Sequence, residues 1–462
     1  MILYRLKQIL LIFFLFLIFF LGGIGISFSD KEINENRRAY RSQMMYGNAV
    51  PDIESKAVSY RLNNKLSELP EMEVLDKYIE NLQENLDLKG ISVAVSHDGD
   101  LTYAKGFGFA NTESGEHIEP RHLFRIASVS KLITAVAIMK LVEEGKVRLN
   151  SNVFGRSGIL KDTSLTHYID QRYGAITVDQ LLRHTGGWGE NYYDPVFTPH
   201  RVSRALNVSY PPSVDHTIKY ALEYTRLNYE PGQKYAYSNL GYVILGKVIE
   251  EVSGLQYEDY VKTKILNPIG IYDMHIGKSF YHEKAPNEVT YYDNDPYFEI
   301  GQPDDEGTYI TTTYGGNQIE VLGAAGGWIA SAPELIRLML AIDGSNEKVD
   351  ILTKASIDRM ITPDKKGNSF IGWRGVDGHG TWWRTGTLSG SSALIMRQQN
   401  GINWVVLTNT SPVNRSTVHR EISRTMFTAL SQVQDWPTQD LFKYKQPSLD
   451  VSEKLVAEMM EN

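Results

Sequence analysis

Strand-forming residues gather at two widely separated places in this chain, and helical patterns fill most of the space between. The first group, Ile91-Ser92-Val93-Ala94-Val95, meets the tight-turn sequence His97-Asp98-Gly99-Asp100 and returns from Leu101 to Gly108, the pattern of a β-hairpin. The second group lies between Gly380 and Thr408. Strands at both ends with helices between them predict a mixed α/β (α+β) fold. One antiparallel sheet is built from both ends of the domain and flanked by helices, with a helical insertion.

The chain has 462 residues, 42% hydrophobic and 22% charged, which suits a packed globular protein of one large or two ordinary domains. It has no cysteine. Disulfides, thiolate metal sites, cysteine nucleophiles and a lipid-modified cysteine are therefore excluded, and covalent chemistry falls to serine, lysine and tyrosine. A formal charge of −8, without a long run of Lys and Arg, argues against nucleic acid as a partner.

Arg5 and Lys7 precede a nearly unbroken apolar stretch from Ile9 to Ile26. At about 18 residues it suits a single-pass membrane anchor, the preferred reading, or a cleavable signal ending near Ser27-Phe28-Ser29. The basic residues hold the N-terminus in the cytoplasm. Everything from Asp30 onward is then expected outside the cytosol, membrane-tethered or, after cleavage, secreted or periplasmic. The expected organisation is anchor or signal over 1–29, a polar stalk over 30–70, the main domain over 71–434 and a tail over 435–462. Trp436, Leu441, Phe442 and Tyr444 read as a packed strap within that tail.

Ser128-Val129-Ser130-Lys131 sits where the extended run Phe124 to Ala127 gives way to the helical pattern Leu132 to Leu141. Spacing of three puts Ser128 and Lys131 on one face at a helix start, whose free N–H groups and positive dipole favour a developing oxyanion. Tyr237 and Asn239, two apart before the helical pattern Val243 to Val252, present a phenol and a carboxamide to one side of an extended loop. A neighbouring cation such as Lys131 favours the ionised phenol. Arg384-Thr385-Gly386-Thr387 lies between two strand-like runs and offers a fixed cation, a hydroxyl and a close backbone approach.

In this order, Ser-x-x-Lys, Tyr-x-Asn and basic-Thr-Gly resemble the serine β-lactamase and penicillin-binding protein superfamily, in its class C, esterase and D-peptidase branch. Leu181 to Trp188, Tyr229 to Gly232, Gly241 to Gly246 and Ala324 to Trp328 extend the likeness over about residues 75 to 430. The resemblance implies a β-lactamase/transpeptidase-like fold and a serine hydrolase of the carboxypeptidase, esterase or β-lactamase type. Its substrates would be D-amino-acid peptides, β-lactams, or esters and amides. Ser128 would be the acylated nucleophile, Lys131 its proton acceptor shared with Tyr237, and Tyr237 the group that protonates the leaving atom. Asn239 would hold the substrate amide and support Lys131. The N–H groups of Ser128 and Thr387 would form the oxyanion hole, and Arg384 with Thr385 would face the substrate's far end. Arg384 stands where relatives usually have Lys or His, which favours acidic acyl substrates over neutral esters.

Rival signals are weaker. His282-Glu283 begins like a zinc-protease helix, but Pro286 breaks it, so no metal or other cofactor is expected. Nor does a Gly-x-Ser-x-Gly nucleophile elbow occur. His184 reads as a structural residue beside the cleft, with Asn191 a further lining candidate. Aromatics of two polar loops, Tyr192, Tyr193, Phe197, Tyr291, Tyr292, Tyr297 and Tyr314, fit cleft walls or surface packing equally well. The alternative function is a catalytically weak membrane-tethered binding or scaffold module with the same fold.

Overall fold

The computed structural model describes residues 57–445, apart from 163–164, 166, 190–192, 295–310, 365 and 367–368. The apolar N-terminal run, Asn191, Tyr192, Tyr297 and the end of the tail lie outside the described residues. Among the described residues no helix is long and apolar enough to cross a membrane.

Helix α1 (Glu73–Asn85) leads into a hairpin of β1 (Gly90–His97) and β2 (Asp100–Asn111). Between the two strand groups run α2 (Ser130–Glu143), α3 (Asn239–Ser253) and α4 (Ile319–Gly326). Strands β3 (Trp382–Leu388), β4 (Ser391–Arg397) and β5 (Ile402–Thr408) follow, and α5 (Val418–Leu430) comes after them. β5 pairs antiparallel with β1, setting Val93 opposite Val406, so both chain ends meet in the middle of one sheet. The order is β2-β1-β5-β4-β3, with the two-residue strands Glu116–His117 and Gly375–Val376 at the edges.

Alternation along each strand sorts the side chains into two cores. Ile91, Val93, Leu394, Met396, Trp404 and Val406 pack beneath Leu75 and Ile79 of α1 and Ile422 and Met426 of α5. On the other face Ala94, Ala393, Ile395 and Val405 join the core that contains α2, whose Leu132 to Met139 are buried without interruption. A helix apolar all round is one enclosed by protein. Its N-terminal end, where the serine lies, is therefore held firmly.

Two boundaries differ from those expected. Residues 57–70 are not stalk: Ala57, Val58 and Leu62 are buried, and polar side chains among them satisfy the backbone at the open edge of β2. Asn64 Oδ1 accepts from Gly106 N (2.8 Å) and Ser67 Oγ from Ala104 N (2.9 Å). A segment that caps a sheet edge with polar side chains has the composition of a linker, which is why it reads as one. Helix α3 begins four residues before the apolar pattern because Ser238, with extended backbone, accepts from Gly241 N at 3.2 Å and caps it. The tail's strap does pack: Trp436 stacks on His97 (4.4 Å between ring centres) and Gln439 Nε2 donates to Thr102 O at 3.0 Å.

Candidate active site

Ser128 lies in a single 3-10 turn, Ala127–Val129, between the short strand Phe124–Arg125 and α2. That strand pairs with Trp328–Ala330, and Ile126 N donates to Trp328 O at 3.0 Å. Ala127 stands at φ +47°, a left-handed conformation that costs an alanine about 1–2 kcal/mol. The cost is borne at the residue before Ser128, where the chain turns sharply from strand to helix.

Lys131 is fully buried one turn further on. Its Nζ donates to Ser128 Oγ (3.2 Å), Asn239 Oδ1 (2.8 Å) and Ala325 O (2.6 Å). Three acceptors match the three N–H bonds of an ammonium. Burial nevertheless lowers the Lys131 pKa, and the charge of Arg384 adds to the effect. Ala325 lies in α4, which kinks two residues earlier at Gly323 (φ +25°, ψ −102°). Nothing beyond its own stretch of helix lies within 4 Å of the place a Cβ would take there, so conformation, not crowding, calls for glycine.

Tyr237 Oη donates to Ser128 Oγ at 2.8 Å and accepts from Arg384 Nη2 at 3.2 Å. Lys131 Nζ lies 5.0 Å from the centre of its ring. Burial of the hydroxyl opposes ionisation, yet the two cations and the hydrogen bonds outweigh it and bring the phenol down to about 8. The residue is still 38% exposed, so the hydroxyl sits among buried cations while the ring opens to the cleft. Beneath it His184 (φ +57°) accepts from Ser238 N at 3.3 Å, with its ring centre 4.4 Å from that of Tyr237. Burial and the charges of Arg384 and Lys131 hold this imidazole far below its usual range, leaving a neutral packing group.

Arg384 is placed differently from the expectation that it faces the far end of a substrate. It is 2% exposed, and its Nε donates to Ser128 O at 2.8 Å. The guanidinium is used within the centre. Strand alternation then turns Thr385 to the opposite face of the sheet, beside Leu394, where it shares a hollow with Trp383, Met396 and His419. Gly386 returns to the serine's side. A Cβ there would stand 2.2 Å from Ile126 O and 2.9 Å from Ser128 N, so only glycine lets β3 lie against the turn that carries Ser128. Ser128 N is thereby set beside the strand, one residue from the exposed Thr387.

The structure thus gathers Ser128, Lys131, Tyr237, Asn239, Arg384 and Gly386, and leaves Thr385 outside. Two neighbours were missed in the sequence. Asp194 Oδ2 accepts from Asn239 N at 3.0 Å, and its one local signal is the Asp-Pro pair that opens the turn Pro195–Phe197. Arg374 is exposed and donates to Tyr235 Oη at 3.1 Å, and nothing in Gly372-Trp373-Arg374-Gly375 marked it. The loop aromatics Tyr291 and Tyr314 are not cleft walls. They pack on the buried Arg125 guanidinium at 4.4 and 5.3 Å, and Tyr291 Oη accepts from Arg125 N, bracing the strand before Ser128.

A sheet closed by both chain ends, with serine, lysine and tyrosine gathered beside β3, defines the β-lactamase/transpeptidase-like class of folds. The chain belongs to the β-lactamase family, whose model matches residues 75–425. Penicillin-binding protein 4* of Bacillus subtilis (strain 168) is 27% identical over 220 residues, covering 47% of this chain and 44% of that protein. Protein flp of Staphylococcus aureus (strain N315) is 27% identical over 195 residues, 42% of this chain and 36% of that one. The match spans less than half the length of these curated relatives. The octameric penicillin-binding protein homologue from Pyrococcus abyssi superposes with a TM-score of 0.58 at 26% identity, over 79% of this chain and 78% of that one. D-amino acid amidase from Ochrobactrum anthropi SV3 shares the fold, with a TM-score of 0.59 at 19% identity over 79% of this chain and 98% of that one.

Proposed function

We propose that the protein is a serine hydrolase that forms an acyl-enzyme on Ser128 with D-amino-acid peptides, β-lactams, or esters and amides. The continuous chain from Lys131 Nζ to Ser128 Oγ (3.2 Å) to Tyr237 Oη (2.8 Å) carries this reading. Ionised Tyr237 takes the serine proton as Oγ attacks the carbonyl, and Lys131 keeps its own proton beside the developing charge. The N–H groups of Ser128 and Thr387 receive the oxyanion; as the carbonyl re-forms, the bond from its carbon to the leaving atom breaks and Tyr237 gives that atom the proton, leaving the acyl group on Ser128 Oγ. Water then takes the place of the serine oxygen in the reverse sequence and releases the acid. The test is mass spectrometry after incubation with a labelled penicillin and an activated ester. An adduct on Ser128 is expected, and Ser128→Ala should remove it and cut turnover on the order of 10³-fold or more at nearly unchanged Tm. Folded protein that forms no adduct across a broad panel overturns the reading.

With Arg384 enclosed, preference for an acidic substrate passes in this reading to Arg374 at the rim, beside Tyr235. An exposed ion pair is worth up to about 1 kcal/mol, so Arg374→Gln should raise KM for a carboxylate-bearing ester about fivefold relative to its neutral analogue. Equal changes for both esters would remove Arg374 from recognition. The reading also keeps the domain outside the cytosol, on the strength of Arg5 and Lys7 before the apolar run. Protease added to intact cells should digest a C-terminal tag, and a tag cut only after lysis would refute this topology.

A further inference from the structure

Lys131 can be held against Ser128 by Asn239 only if that carboxamide points the right way. Its two ends are nearly the same shape, but Oδ1 accepts from an ammonium whereas Nδ2 in the same place would set N–H against N–H. Asp194 makes the choice. Its Oδ2 accepts from both Asn239 N (3.0 Å) and Asn239 Nδ2 (3.3 Å), drawing the donor end of the amide to the carboxylate and leaving Oδ1 for Lys131 at 2.8 Å. Asp194 is itself anchored, since its Oδ1 accepts from Val196 N at 3.2 Å and caps the turn Pro195–Phe197. One carboxylate thus serves three N–H donors, two of them on the residue that grips the lysine.

The charge has a second effect. Lys131 is faced by the rings of Tyr237 and Tyr242, at 5.0 and 5.7 Å, by the Arg384 cation, and by Asp194 beyond Asn239. Burial and Arg384 draw the proton off the lysine, while Asp194 and Tyr237 favour keeping it.

We propose that Asp194 is a positioning residue for acyl transfer: it orients the Asn239 amide that holds Lys131 against Ser128, and it sets a negative charge beyond that amide. The inference rests on the acyl-enzyme reading of Ser128. The experiment is the pH profile of kcat/KM with an activated ester for the full chain and for Asp194→Asn, Asp194→Ser and Asp194→Glu. Serine retains a cap for Val196 without the charge, and glutamate retains the charge with a different reach.

Misorientation of a group next to the reacting atoms can cost on the order of 10²-fold, so both uncharged variants should lose about tenfold to a hundredfold at the plateau. They should also move the ascending limb to lower pH, because removing a negative charge lets the Ser128–Tyr237–Lys131 unit shed its proton more readily. Asp194→Glu should lower the plateau and keep the limb at the wild-type pH. A lower plateau with an unmoved limb in both uncharged variants would reduce Asp194 to a structural cap and overturn the proposal. So would wild-type rates in both, or failure of both to be folded at the assay temperature. If wild-type protein forms no Ser128 adduct, the acyl-enzyme reading itself fails; if it labels while the variants match it, only the role of Asp194 does.

Discussion

Tyr237→Phe is expected to lower the rate of Ser128 acylation by about 10²- to 10⁴-fold, the usual worth of a positioned proton acceptor, while the protein stays folded. The reason lies in how the two neighbours of Ser128 Oγ are engaged. All three N–H bonds of Lys131 are directed at acceptors, so the lysine is arranged to hold a proton. Tyr237 Oη has the Arg384 guanidinium on it and Lys131 over its ring, which stabilise the phenolate. Its ionisation near pH 8 sets the direction of the pH dependence: a base works when deprotonated, so wild-type kcat/KM should rise through about 8 and level off. That limb should vanish in the phenylalanine variant. Stability should fall by no more than about 1–3 kcal/mol, because the ring still packs on His184 while the buried Arg384 Nη2 loses its acceptor. Stopped-flow acylation at several pH values, with a thermal melt of each protein, measures both. Retention of rate and limb in the variant would shift the base to Lys131.

Gly386→Ala is expected to lower activity on the order of 10²-fold and stability by about 1–3 kcal/mol. The added methyl carbon would meet Ile126 O at 2.2 Å, Ser128 N at 2.9 Å and Val129 N at 3.1 Å. These are all backbone atoms, so no rotamer change relieves the clash. Strand β3 must move away from the turn that carries Ser128, taking Thr387 with it. Thr385→Ala, one residue earlier, is the control: its side chain lies on the other face of the sheet, in the hollow beside Leu394. Its effect on stability should stay within about 0.5 kcal/mol. Melting curves and acylation rates for the two variants together separate these expectations, and equal losses at both positions would contradict the placement of the strand.

Much of the scaffold was legible. The period-two runs of β1, β2, β4 and β5 and the unbroken apolar stretch of α2 are local patterns, and burial in a sheet or a helical layer produces them. The serine, lysine, tyrosine and asparagine were legible because short spacings tie each motif to one turn or loop. Arg384 and Thr385 were expected to face a substrate together, and the strand sends them to opposite faces. Adjacent residues on a strand point to opposite faces, so they cannot both meet a substrate on the serine's side, and neighbouring letters alone do not say which one does. Residues 57–70 were misjudged because polar side chains that finish a sheet edge look the same, letter by letter, as polar side chains in water.

The sequence by itself determined the antiparallel sheet drawn from both chain ends, the buried helix behind the serine and the kinds of side chain gathered around Ser128, since these follow from periodicity and composition within a few residues. Tertiary structure alone decided that Arg384 serves Tyr237 and the Ser128 carbonyl, that Gly386 admits β3, and that Asp194 orients Asn239. Those contacts join positions 147, 256 and 45 residues apart for Arg384–Tyr237, Arg384–Ser128 and Asn239–Asp194. A hydrogen bond or a close backbone approach over such a distance imposes no period on the chain, and it arises only when packing has brought the partners within 3 Å or so of each other.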